Sequence, residues 1–419
     1  MVKTENSVKK PLQQHSQRSR DWSWPYWPAV PLYPYGQRRT LCQEIVKEKI
    51  WIFDQLQGIL HVIIPVRMTV IKLAKGGLLV YAPVAPTREC IRLVKDLIRV
   101  HGDIKYIILP TASAIEHKVF TGPFSKRFPN AQVFVSPSQW TFPISIPLSW
   151  LGLSDRQTQV LPANSADAPF ADEFDYAILG PIGLGLGPFE EVAFFHKRSR
   201  TLLVTDSVVS IPVDPPPIVQ LDPYHLLFHA KDNVFDVVED TPTIRRKGWQ
   251  RIALFAFYFR PSVLTVVSTT QTFKEAGQAP DRSKRAYFGL FPVQWHPDWK
   301  RSFEALRQGG NLIVAPILQT LIFNREPQKV LNWVDQVAQW NFRRVIPCHL
   351  DAPVRASPRQ LSQAFDFLRP EPSKRGWFTR SKPPVSLPEA DLEFLDEFDR
   401  FLCDRNITPP PTPLSSTDK

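Results

Sequence analysis

The sequence predicts an α/β fold, and three observations carry the prediction. Residues 102–137, GDIKYIILPTASAIEHKVFTGPFSKRFPNAQVFVSP, read as buried strand, polar loop, amphipathic helix and second strand. Glu116 and His117 stand side by side just past the first strand, where α/β proteins usually keep their chemistry. A second β-rich block covers residues 175–209, and a further helix and strand lie between residues 327 and 347. With 43% hydrophobic and 12% aromatic residues among 419, the chain has enough apolar surface for one large core or two.

Composition narrows the function classes. Forty-two prolines against seventeen glycines predict rigid extended connections and short helices, because proline fixes φ and removes a donor. Cys42, Cys90, Cys348 and Cys403 are scattered without a CxxC pair, which argues against a zinc knuckle or a disulfide framework and for a reducing compartment. No apolar stretch follows the basic residues at the start, and the aromatic run at 252–259 is too short to span a bilayer. An intracellular chain, soluble or membrane-peripheral, is therefore expected. The net charge of +11 is partly local: residues 1–20 carry Lys3, Lys9, Lys10, Arg18 and Arg20 against Glu5, as a solvated tail does. No RNA-binding module accompanies the charge, so nucleic acid is not expected as a partner.

In chain order, residues 1–20 read as a disordered basic tail and residues 21–57 as a proline/aromatic strap and lead-in. Within it, DWSWPYWPAVPLYPY is too proline-rich for a helix; it reads as an extended strap, with membrane-interface anchoring as the other reading. Strands are expected at 58–66, 68–74 and 77–80, the last two joined by a Lys75-Gly76-Gly77 turn. Thr87 is placed to cap a helix over 88–100, with Ile91, Val94 and Ile98 on one face. Strands follow at 105–109, 174–179, 192–195 and 201–204. Gly183, Gly185 and Gly187 lack the Lys-Ser/Thr that a phosphate loop needs. The basic-aromatic segment 245–260 reads as a buried element with a solvated basic end, or as a membrane-surface element. Pro327 opens a helix with Val330, Val334 and Val337 in a stripe, and residues 342–347 form a strand reaching His349. A central domain over 58–355, a linker over 356–389, an amphipathic helix over 390–404 and a disordered tail over 405–419 complete the organisation.

This order of elements resembles the metallo-β-lactamase-like superfamily, a four-layer αββα sandwich, over residues 58–352. Thr111 to His117 (TASAIEH) lies where that family has Thr-His-x-His-x-Asp-His. Leu203 to Asp206 (LVTD) is similar to the strand bearing its bridging aspartate, and Ile346 to His349 (IPCH) to its terminal Pro-Gly-His. More narrowly, the chain resembles a branch from photosynthetic organisms known as a domain of unknown function. Three positions depart from the pattern: Ala112 and Ala114 stand for the two leading histidines, and Leu186 for the histidine of the Gly-His-Thr loop. The resemblance thus implies that the first metal site is absent and that Glu116, His117, Asp206 and His349 remain as ligands of the second, a set that suits Zn, Fe or Mn.

Two functions are open on this reading. One is a single-metal hydrolase of a small ester or thioester, because a metal with an open position lowers its water's pKa toward about 7. The other is a catalytically silent scaffold or binding protein. Each residue also has an ordinary structural role: Glu116 as a helix-start acid, Asp206 as a loop cap, His117 and His349 as hydrogen-bonded histidines. His225 and His229 share a helical face and either supplement the site or bond locally; His61, His101 and His196 read as surface histidines. Cys348 reads as a small buried residue in place of glycine.

Overall fold

The structure, a computed structural model, describes residues 19–26, 32–112, 115–141, 145–369 and 387–414. Residues 1–18 of the basic tail expected over 1–20, residues 27–31 of the strap, residues 113–114 and 142–144, residues 370–386 of the linker expected over 356–389 and residues 415–419 of the tail expected over 405–419 lie outside the described residues.

Two sheets stack face to face. The first is built from β1 (Leu41–Val46), β2 (Ile50–Ile59), β3 (Val62–Lys72) and β4 (Leu78–Tyr81), then α1 (Arg88–His101), β5 (Ile104–Leu109), α2 (Ile115–Ser125), β6 (Gln132–Val135) and β7 (Thr158–Val160). Its strands lie in sequence order, antiparallel from β1 to β4 and parallel from β4 to β7. The switch occurs where α1 provides the crossover that a parallel pair requires. Thr87 caps α1 by accepting from the Cys90 amide, as the sequence predicts.

The second sheet takes β8 (Phe174–Gly183), β9 (Pro188–His196) and β10 (Thr201–Val204). The chain then leaves for α3 (Tyr224–Ala230), α4 (Pro242–Tyr258), β11 (Leu264–Val266), α5 (Thr269–Ala276), β12 (Val293–Trp295), α6 (Trp299–Arg307), α7 (Pro316–Leu321) and α8 (Pro327–Ala338). It returns as β13 (Arg344–Pro347), parallel to β10. Helices α9 (Pro358–Ala364) and α10 (Glu389–Asp404) follow.

Apolar side chains from both sheets interleave: Ile52, Tyr81 and Ile108 of the first meet Tyr176, Phe194 and Leu203 of the second in one buried cluster. The first sheet's outer face packs Leu93 and Val94 of α1 and Phe124 of α2, and the second's outer face packs Val330, Val334 and Val337 of α8. The layers therefore run helix, sheet, sheet, helix, the αββα sandwich expected from the sequence. A further core joins the distal end of the β2–β3 hairpin to α4, α6 and α10 through Ile63, Trp249, Phe303 and Leu395.

Several readings change in detail. The strand expected over 58–66 is interrupted: Leu60 and His61, with φ of 49° and 65°, turn the chain between β2 and β3. Residues on either side are equally apolar, so alternation does not reveal the turn. His61 and His196 are not surface residues, at 7% and 1% exposure. The turn directs His61 against His225, Nδ1 to Nδ1 at 2.7 Å, while His196 stacks on Phe174 and bonds Ser199 Oγ at 2.7 Å. Residues 245–260 lie mostly in α4; Trp249, Ile252, Leu254 and Tyr258 are buried, and Arg245 and Arg246 pair with Asp240 and Asp214. No helix among the described residues is long and apolar enough to cross a membrane.

Around the strap, Trp24 packs its ring edge against Phe120 at 5.3 Å, and the Tyr33 amide donates to the Gly58 carbonyl at 2.8 Å. At the other end of the chain, α10 buries Leu395 completely and packs on α4 and α7. Asp391 of this helix accepts from the Ser262 amide at 2.9 Å, and buried Arg325 pairs with Asp399.

Candidate functional site

The sandwich opens at one edge into a cavity of about 390 Å³. Its polar end gathers Thr111, Glu116, Glu190, Asp206 and His349; its apolar walls include Ile64 of β3, Phe257 of α4 and Ile317 of α7. Three of the four residues singled out in the sequence thus line one pocket, and the fourth, His117, lies beside it with its ring 6.5 Å from that of His349.

Each side chain is positioned by backbone contacts. Asp206 follows β10 in a loop gripped by Glu191 of β9. The Glu191 carboxylate accepts from the amides of Thr205, Asp206 and Ser207 at 2.7, 2.9 and 2.7 Å, and from Ser207 Oγ at 2.9 Å. His349 follows β13 in a loop gripped by Arg67 of β3. The Arg67 guanidinium donates to the carbonyls of Pro347 and Leu350 at 2.7 and 2.8 Å, while its Nε pairs with Asp54 at 2.7 Å. Glu116 and His117 begin α2.

Both histidines have their tautomer set in the same way. His349 Nδ1 lies 2.9 Å from the Pro65 carbonyl, and His117 Nδ1 lies 3.1 Å from the Pro83 carbonyl. A carbonyl only accepts, so each Nδ1 carries the proton and each Nε2 is left for other work. His349 Nε2 meets Asp206 Oδ1 at 3.0 Å. His117 Nε2 is buried and has no partner among the described residues.

Electrostatics follow from burial and from this one pairing. Burial opposes charge on His349, but the hydrogen bond and the charge of Asp206 outweigh it and raise its pKa to about 9. Asp206 is correspondingly lowered: its burial cost is overcome by the His349 hydrogen bond and charge. The pair therefore stands as imidazolium and carboxylate. His117 is lowered to about 4 by burial first and then by the charge on His349. Glu116 is raised by burial and by Asp206, with His349 and Arg38 pulling the other way.

The donor set meets some requirements of a divalent cation and misses others. Two imidazoles oriented by Nδ1–H bonds to carbonyls, and an unpartnered buried Nε2, are what a metal ligand sphere uses. Against this, His349 Nε2 is engaged with Asp206, and no group of three or more His, Cys, Asp or Glu among the described residues is arranged to hold a metal ion. As arranged, these side chains form an ion pair with two neighbours and do not fit a closed ligand set.

Of the positions that depart from the family pattern, Ala112 is fully buried and Leu186 is half exposed on the β8–β9 hairpin. His225 and His229 lie in α3, where His225 bonds His61; neither lines the pocket. Cys348 is buried, and burial pushes its thiol well above the ordinary range. Arg67, Glu191 and Glu190 are the residues that sequence reasoning missed. A charged residue within a strand does not by itself signal burial, so the sequence alone does not single them out.

The layer order, and a pocket at the ends of β5, β10 and β13, define a protein of the metallo-β-lactamase type of fold. The chain belongs to the family described as a domain of unknown function (DUF4336), whose profile matches residues 47–367. Among solved structures, a metallo-beta-lactamase from Pontibacter korlensis is similar at 11% identity, covering 51% of this chain and 83% of its own, with a TM-score of 0.30. The DIM-1 metallo-beta-lactamase exposed to ceftazidime is similar at 10% identity, covering 78% of this chain and 96% of its own, with a TM-score of 0.36. A flavo di-iron protein variant from Thermotoga maritima is similar at 8% identity, covering 78% and 61%, with a TM-score of 0.40. A search of curated proteins returns no match.

Proposed function

We propose that this protein is a binding member of the metallo-β-lactamase-like fold, one that holds a small, largely apolar molecule in its pocket without a resident metal. The observation that carries the reading is the bond from His349 Nε2 to Asp206 Oδ1 at 3.0 Å, which occupies the nitrogen that a cation would need. The pocket's size supports it, since about 390 Å³ falls within the roughly 300–1,000 Å³ typical of small-molecule sites. Its mostly apolar lining, with a few polar groups at one end, is the usual composition of such a site.

A second reading is favoured by the unpartnered Nε2 of His117: one divalent cation held by Glu116, His117, Asp206 and His349, as in a single-metal hydrolase of small esters or thioesters. Elemental analysis after dialysis against zinc, iron(II) and manganese separates the two. The binding reading expects substoichiometric metal and a melting temperature unmoved by chelator. About one equivalent of metal, lost in His117→Ala and His349→Ala while the fold is kept, would establish the second reading and overturn the first.

A further inference from the structure

The polar end of the pocket has a definite sign. Among the described residues its lining holds three carboxylates, those of Glu116, Glu190 and Asp206, against the single imidazole of His349 and no Lys or Arg side chain. His349 is already committed to Asp206, and Arg38, whose charge acts on Glu116, is not among the lining residues. Glu190 is 2% exposed and fixed by the Ser138 amide, which donates to its Oε1 at 2.8 Å.

Thr111 supplies an independent sign of a missing partner. It is 2% exposed and lines the same end of the pocket, and its Oγ1 has no partner among the described residues. A buried hydroxyl left unsatisfied costs free energy that a ligand atom can recover. Opposite this end the walls are hydrocarbon: Ile64, Val209, Phe257, Ile317, Leu318 and Leu350.

We infer that the pocket selects a cationic amphiphile: an apolar body seated between α4 and α7, with a protonated amine placed against Glu190, Glu116 and Thr111 Oγ1. An anionic head would meet carboxylates with no free cation to answer them, and its burial would be costly. An amine loses water too, but finds charged acceptors in exchange, and such hydrogen bonds are the stronger kind. This assignment rests on the metal-free binding reading above, since a resident divalent cation would reverse the sign of the polar end.

Isothermal titration of the full chain at neutral pH, with phenylbutylamine, phenylbutanol and phenylbutanoate, tests it on one apolar body with three heads. The amine is expected to bind at least about ten-fold more tightly than the carboxylate, with the alcohol between. Glu190→Gln keeps the acceptor for Ser138 and Thr111→Val keeps the shape of its site; each is expected to weaken the amine several-fold, and Glu190→Gln is expected to weaken the uncharged alcohol less than the amine. Ile317→Trp, on the half-buried wall, is expected to abolish all three. A carboxylate that binds as tightly as the amine, or an amine indifferent to both polar variants, would overturn the ligand class while leaving a binding pocket. Failure of all three to bind would overturn the pocket reading itself.

Discussion

His117 and His349 are held by one device: each gives its Nδ1 proton to the carbonyl of a proline, Pro83 at 3.1 Å and Pro65 at 2.9 Å. Their other nitrogens then diverge in fate. His349 Nε2 finds Asp206, whereas His117 Nε2 stays buried without a partner among the described residues. Two imidazoles with the same anchoring thus carry different charge at neutral pH.

Stability should peak near the unfolded histidine pKa of about 6.5. His349 is raised to about 9 when folded, so between these values the native state binds more protons than the unfolded one. Its contribution is complete below about pH 6.5 and is lost as pH rises through 9, a loss of roughly 2–4 kcal/mol. His117, lowered to about 4, has the opposite sign: its neutral form costs nothing above about 6.5, and stability falls as pH drops toward 4. Urea denaturation across this range checks both limbs, and His349→Ala should flatten the alkaline one and, by removing the charge that helps to lower His117, shrink the acid one.

Arg67→Met is expected to cost about 3–5 kcal/mol, because it leaves the Asp54 carboxylate buried without its partner. It also frees the loop through Leu350, so ligand binding should weaken even in molecules that stay folded. Chemical denaturation separates the two effects, and Asp54→Asn in the Arg67→Met background should recover part of the stability but none of the binding.

Glu191→Ala removes four hydrogen bonds to the loop holding Asp206. Hydrogen bonds to charged groups contribute about 1.5–3 kcal/mol each and do not add fully, so a total loss above about 3 kcal/mol is expected. The expected companion is a fall in the His349 pKa, read by NMR titration, as Asp206 drifts away. An unchanged His349 titration would mean that the loop holds its shape without Glu191.

Gly187 has φ of 118°, and a Cβ there would lie 2.3 Å from the Trp140 ring. Gly187→Ala should therefore lose about 1–3 kcal/mol in thermal or urea unfolding. Gly183→Ala, on the same hairpin with open space around its Cβ position, should lose less than about 1 kcal/mol.

Much of the sandwich was legible because its elements announce themselves locally. Thr87 before an amphipathic run gives α1, and Thr201–Val204 appears as a continuous apolar strand in sequence and structure alike. The approach of Asp206 to His349 was legible only through the family resemblance, and its basis in the structure is that β10 and β13 lie side by side. Their bond to each other was not, because spacing gives proximity of loops and says nothing about which side chains face. Arg67, Glu190 and Glu191 were missed for a related reason: in a strand a charged residue ordinarily marks the wet face, and only three-dimensional placement shows that these three are buried. The Leu60–His61 turn was hidden inside an apolar run whose glycine and proline, Gly58 and Pro65, stand away from the turning residues.

The docking of α10 ties the last part of the described chain to the pocket. This helix rests on α4 and α7, the two helices that supply Phe257 and Ile317 to the cavity wall, and it is fastened through Asp391 and Asp399. A wall so buttressed shares the fate of its buttress, so a change at Asp391 or Asp399 is expected to be felt in the chamber from a distance.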